Sequence, residues 1–180
     1  MGTITLRLEQ MKKTLPQTEP EPIGFQSYHI TFTTYGSWLL GTCRGSTRHG
    51  GAKVRPCDRL EGWMRERCAY AEVTLTEEMR QIVFDAILQV AEYYRWHIRI
   101  HNVLAQHVHV LISAPATTRS SVILAKLKTG ATKALRSAGY FKDRPVWTSS
   151  GDARPIRTRE YFEKVCDYIH NEQTHTPFDR

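Results

Sequence analysis

Cysteine is sparse in this 180-residue chain, and Cys43, Cys57, Cys68 and Cys166 form no C-x-x-C pair. That excludes an ordinary zinc ribbon, and adding His49 to the set gives no recognisable finger spacing either. Scattered, unpaired thiols point to a reducing, cytoplasmic setting. Long apolar runs are also missing. Nothing approaches the roughly 18 residues a membrane span needs, so no membrane partner is expected. Residues 1–22 are polar and broken by Pro16, Pro20 and Pro22, so they lack the apolar centre of a secretory leader. There is no internal repeat and no low-complexity tract. Acidic residues are outnumbered, 18 Asp and Glu against 25 Lys and Arg, for a net charge of +7. Such a balance bears on partners rather than on fold, and nucleic acid is its commonest cause.

What is present suffices for one core, since 41% of residues are hydrophobic. Residues 1–26 read as a flexible N-terminal arm, and residues 27–180 as one domain. Within "SYHITFTTYGSWLLG", Tyr28, Ile30 and Phe32 alternate with His29, Thr31 and Thr33, the period of a strand. "GTCRGSTRHGGAKVRP" then reads as a long basic loop carrying Arg44, Arg48, Lys53 and Arg55. "TLTEEMRQIVFDAILQVAEYYRW" has apolar residues at i, i+3 and i+4, with Thr76 as N-cap, and predicts a helix. Two alternating strands follow, 97–105 and 107–114, joined tightly at Ala105–Gln106. "SSVILAKLKTGATKALRSAG" is an amphipathic helix capped by Ser120 or Ser121, with Lys126, Lys128 and Lys133 off its apolar row. A short strand or loop at Val146–Trp147, a turn at Ser150–Asp152 and a last helix capped by Thr158 complete the chain. The pattern is α+β: a ferredoxin-like antiparallel sheet with helices mainly on one face.

The chemistry concentrates in "QHVHVLISAP". On a strand, Val108, Val110 and Ile112 share one face, while His107, His109 and Leu111 share the other, open face. Two imidazoles about 6–7 Å apart along a strand can converge on one divalent ion, but the pair needs a third ligand. The last helix offers one. Phe162, Val165, Cys166 and Ile169 form its apolar stripe, Tyr168 lies beside that stripe, and Glu172 sits one turn beyond Tyr168. Gln173 falls in phase with the apolar stripe.

"HVHVLIS", "YIHNEQ" and "YHITFTTYGSWL" together resemble the HUH single-tyrosine transposase family, which includes the insertion-sequence and REP-associated enzymes. The resemblance spans about residues 28–173. It implies a bacterial, nucleoid-associated enzyme with catalytic residues Tyr168, His107 and His109. It further implies that His107 and His109 bind magnesium or manganese with a third ligand from the tyrosine helix. The family often has an amide one turn after the tyrosine, where this chain has Glu172 with Gln173 next, so both stand as candidates. The implied function is a metal-dependent single-stranded DNA endonuclease and strand transferase that recognises hairpin DNA. Tyr168 would attack phosphorus to give a 5′-phosphotyrosine and a free 3′-hydroxyl. Arg44, Arg48, Lys53, Arg55, Lys126, Lys128 and Lys133 are candidate phosphate contacts, and Trp38, Trp63, Trp96 and Trp147 are candidate base-stacking rings, one or two of them at most. Family members often form homodimers that place the tyrosine helix against the partner's metal site. The competing readings are a domesticated hairpin DNA- or RNA-binding protein that does not cut, an unrelated ferredoxin-like RNA binder, and an H-x-H metal hydrolase.

Overall fold

A computed structural model describes residues 23–42, 46–47 and 53–171. The elements run β1 (Phe25–Thr33), β2 (Ser46–Thr47), β3 (Lys53–Val54), α1 (Asp58–Glu66), α2 (Glu77–Tyr94), β4 (His97–Val103), β5 (His107–Pro115), α3 (Ser120–Ser137), β6 (Asp152–Pro155) and α4 (Arg159–Asn171). A four-stranded sheet has the order β4-β5-β1-β6, with every neighbouring pair antiparallel. β2 and β3 form a separate two-stranded ribbon. This is the expected α+β, antiparallel-sheet class.

The strand period divides the sheet into two faces with different jobs. Tyr28, Ile30 and Phe32 of β1 and Val108, Val110, Ile112 and Ala114 of β5 are buried in the main core. α2 and α3 cover that face, burying Val83, Ala86, Ile87 and Ala91 from one helix and Ile123, Leu127, Ala131 and Leu135 from the other. Gly130 lets the two helices close on each other, because a Cβ there would lie 2.3 Å from Val90 Cγ2. The opposite face of the central strands is polar: Ser27, His29, Thr31 and Thr33 on β1 lie beside Ser113, Leu111, His109 and His107 on β5.

Several local expectations need correction. Leu111 is fully buried rather than facing open sheet, because α4 crosses that face and packs Val165, Cys166 and Ile169 onto Leu111 and Ile156. The helices therefore occupy both faces, α2 and α3 on one and α4 on the other. Strict alternation in "HIRIHNV" fails at Arg99, where the β4–β5 register shifts between Ile98 and Ile100. That irregularity turns Ile98 and His101 to the main core side and Ile100 to the α4 side, where each finds apolar neighbours. Neither Ser120 nor Ser121 caps α3; Arg119 occupies the cap position with no side-chain bond. Val146–Trp147 makes only an isolated bridge, Thr34 to Trp147. The fourth strand is Asp152–Pro155, which pairs with β1 as an edge, the position where a proline is tolerated. Gly151 leads into it where a Cβ would sit 2.9 Å from the Thr31 carbonyl oxygen. The expected caps at Thr76 and Thr158 are observed: Met79 N–H donates to Thr76 Oγ1 at 3.3 Å and Tyr161 N–H donates to Thr158 Oγ1 at 3.2 Å. β1 already begins at Phe25, inside the expected arm, and residues 1–22 lie outside the described residues.

Candidate active site

The polar sheet face meets α4 at a group of aromatic side chains. The register sets Thr31 directly across from His109, Thr33 across from His107 and His29 across from Leu111. Directly opposed residues bring their Cβ atoms within about 5 Å, so Thr31 Oγ1 lies 3.0 Å from His109 Nδ1. His29 reaches the same nitrogen diagonally, its Nε2 3.3 Å from His109 Nδ1 and 3.4 Å from Thr31 Oγ1. The His107 and His109 ring centroids are 5.0 Å apart. β6 adds charge at the margin, where Arg154 pairs across from His29 and Asp152 across from Thr31, the two joined by a 2.6 Å ion pair.

α4 delivers the tyrosine. Once Val165, Cys166 and Ile169 are held against Leu111, helical phase swings Tyr168 to the flank of that contact. Its ring meets His109 edge-on with centroids 5.3 Å apart, and His29 at 6.5 Å. Tyr161 also packs against this smaller cluster. Tyr168 thus joins the histidines of its own chain, 59 and 61 positions earlier in the sequence.

Burial sets the protonation of the site. His109 is pushed down to about 3, first by desolvation and then by the neighbouring His107 and His29. His29 is pushed down to about 4, again chiefly by burial, with Asp152 opposing the shift and Arg154 adding to it. Both rings are neutral at pH 7, the form in which an imidazole ligates a metal. Cys166 is buried and raised to about 11, mainly by desolvation, so it remains a thiol and serves as core. Among the described residues no group of three or more His, Cys, Asp and Glu is arranged to hold a metal ion. Both candidates for the third ligand, Glu172 and Gln173, lie outside the described residues.

The candidate DNA contacts separate. Arg44 and Arg48 lie outside the described residues, as does the side chain of Lys53, whose backbone belongs to β3. Arg55 is exposed just after that strand. Lys126 is exposed, its Nζ 5.5 Å from the centre of the Tyr94 ring. Lys133 is exposed and borders, with Arg136, a groove between α3 and residues 145–148. Lys128 behaves differently: its ammonium donates to the carbonyls of Thr148, Ser149 and Ser150, so it anchors the segment leading to β6. Trp96 and Trp147 are buried in the core, and Trp147 Nε1–H donates to Thr132 Oγ1 at 3.0 Å. Trp38 and Trp63 are exposed, with the Arg67 guanidinium 3.9 Å from the centre of the Trp63 ring.

Sequence reasoning missed His29 as part of this site. Its signal was available: His29 has the same strand phase as Thr31 and Thr33, the side opposite the Tyr28–Ile30–Phe32 core row. Asp152 and Arg154 carry no such signal: composition marks only a turn ending at Asp152, and their strand exists through its pairing with β1.

Comparison with known proteins agrees with this architecture. The family described as "Transposase IS200 like" matches residues 66–172. Among solved structures, a REP-associated tyrosine transposase bound to a REP hairpin superposes with a TM-score of 0.50 at 14% identity, covering 84% of this chain and 67% of that one. A candidate transposase of Deinococcus radiodurans R1 superposes with a TM-score of 0.51 at 13% identity, covering 89% of this chain and 99% of that one. No curated protein matches the chain. Fold and family match together define an HUH-type, single-tyrosine transposase enzyme. The chain belongs to the IS200-like transposase family. Among the described residues no helix is long and apolar enough to cross a membrane.

Proposed function

We propose that this transposase is a metal-dependent single-stranded DNA endonuclease and strand transferase that recognises hairpin DNA and cuts through a 5′-phosphotyrosine intermediate. The observation that carries the reading is the edge-on contact of Tyr168 with His109, beside His107, between elements distant in sequence. The donor set suits a hard divalent cation such as magnesium or manganese. His107 and His109 share one strand face, Cys166 is withheld as a buried thiol, and Glu172 or Gln173 would supply an oxygen. Such an ion, when bound by His107 and His109, supplies charge to polarise a phosphate oxygen.

The chain's own residues account for the rest. Tyr168 Oη attacks phosphorus, the bond from phosphorus to the 3′-oxygen breaks, and the tyrosine proton ends on the released 3′-hydroxyl. No water enters, so attack by another 3′-hydroxyl on the phosphotyrosine reverses the step and joins strands. The preference for a hairpin next to single-stranded DNA draws on the hairpin held by the REP-associated relative. Arg55, Lys126 and Lys133 are the described, exposed cations proposed to meet phosphate, and Trp38 and Trp63 the rings proposed to stack bases. Residues 27–180 are proposed as the catalytic domain and residues 1–26 as a separate arm. Tyr168 is proposed to act in cis, whether the enzyme works alone or as a homodimer, and to do so at the nucleoid.

Peptide mapping of the protein–DNA adduct tests this. The labelled peptide should contain Tyr168, and Tyr168→Phe should abolish the adduct while leaving DNA binding within about twofold. An adduct mapping to Tyr161, or tight binding with no adduct from any flanking DNA, would refute the assignment; the second result would favour the non-cutting hairpin binder.

A further inference from the structure

Beyond the two histidines and the tyrosine, the site contains a polar pair that no part of the proposed reaction uses. Thr31 Oγ1 and His29 Nε2 both lie against a single atom, His109 Nδ1, at 3.0 and 3.3 Å. The hydroxyl also lies 3.4 Å from His29 Nε2. All three side chains belong to the polar face of β1 and β5, and His29 and His109 are 7% and 5% exposed. Packing therefore holds both rings in place.

His109 can ligate through Nε2 only with its proton on Nδ1. There Thr31 Oγ1 at 3.0 Å and His29 Nε2 at 3.3 Å are placed to accept it. The reverse arrangement, His29 Nε2–H donating to His109 Nδ1, would leave the His109 proton on Nε2 and block ligation there. A ligating imidazole commonly donates its other ring N–H to a fixed acceptor, which sets both tautomer and ring orientation. We propose that Thr31 and His29 are positioning residues that hold His109 in its Nδ1–H tautomer and so present Nε2 to the divalent ion. This rests on the metal reading above for its purpose, but not for its geometry. Neither residue is a catalytic residue, because each acts through His109.

The two parts can be tested apart. Nitrogen-15 NMR of ring-labelled, metal-free protein at pH 7 reads the tautomer directly. Protonated Nδ1 and bare Nε2 on His109 are expected in wild type and in Thr31→Ser, and a mixture in Thr31→Val, which keeps the branched shape a strand favours. Manganese titration followed by electron paramagnetic resonance should show affinity about 10- to 100-fold weaker in Thr31→Val and restored in Thr31→Ser. His29→Phe should weaken it likewise, and His29→Gln, which retains an acceptor, should weaken it less. A proton on Nε2 of His109 in the wild-type protein overturns the proposal whatever the variants do. Wild-type manganese affinity in Thr31→Val overturns it also. If the wild-type protein shows the Nδ1–H tautomer but binds no manganese, the metal reading fails and the tautomer assignment stands.

Discussion

His101 offers a quantitative test of the sheet packing, separate from the catalytic site. The irregularity at Arg99 turns it into the main core, where its ring stacks on Phe84 with centroids 3.8 Å apart and its Nε2 is buried without a hydrogen-bond partner among the described residues. Burial pushes it from 6.5 down to about 4, with a backbone bond to Phe84 opposing the shift. The folded pKa lies below the unfolded one, so between those values the unfolded chain binds more protons. Stability is full above pH 6.5 and is lost as pH falls toward 4. For this single ring the loss from pH 7 to pH 4.5 comes to about 2 kcal/mol. His29 and His109 lose stability in the same direction, and the combined loss is large against a typical total of about 5–15 kcal/mol. Urea titrations at the two pH values read this directly. His101→Leu, similar in volume and without the orphaned nitrogen, should shrink the acid-induced loss by about 2 kcal/mol. An acid-induced loss of the same size in variant and wild type would exclude His101 as its source, as would an NMR titration of His101 near 6.5.

Three further outcomes follow from named contacts. Lys128→Met should lower stability by about 1–3 kcal/mol because Thr148, Ser149 and Ser150 lose a charged donor, whereas Lys133→Met should leave the melting temperature unchanged and weaken DNA binding, with a shallower salt dependence; equal melting shifts would contradict the division. Trp147→Phe loses the bond to Thr132 and should cost about 1 kcal/mol in urea unfolding, with no change in oligonucleotide affinity; an affinity loss at constant stability would make Trp147 a stacking ring. Replacing both His107 and His109 by alanine should remove metal-dependent cutting while hairpin binding persists, read by gel shift beside a cleavage assay; undiminished cutting would remove the metal assignment.

The sequence disclosed those features whose cause is local or periodic. The 3.6-residue spacing of Ile82, Val83, Ile87 and Val90 marked α2, and the hydroxyls of Thr76 and Thr158 marked where two helices start. The period of two in "HVHVLI" assigned each side chain of β5 to its face. Legibility ended where tertiary contact decides. The shift at Arg99 answers to what lies above and below β4, which no alternation pattern contains. Composition marks a turn at Ser150–Asp152, and Asp152–Pro155 becomes a strand only because β1 presents an unpaired edge. For the site, the family resemblance singled out His107, His109 and Tyr168, and phase placed Tyr168 beside the stripe that binds Leu111. His29 escaped notice because its importance arises from the pairing register, which sets it diagonal to His109. Lys128 looked like its neighbours because its carbonyl partners lie 20 to 22 residues further on.

If the histidine pair and Tyr168 form one covalent DNA-cutting centre, a denaturing gel reveals it. The protein is incubated with labelled single-stranded hairpin oligonucleotides from its own genomic flanks, with manganese or with EDTA. A band is expected at the combined mass of protein and DNA fragment, present with manganese, absent with EDTA and absent in Tyr168→Phe. Free cleaved DNA with no protein-linked band in any lane would contradict it, because cutting would then proceed without the tyrosine.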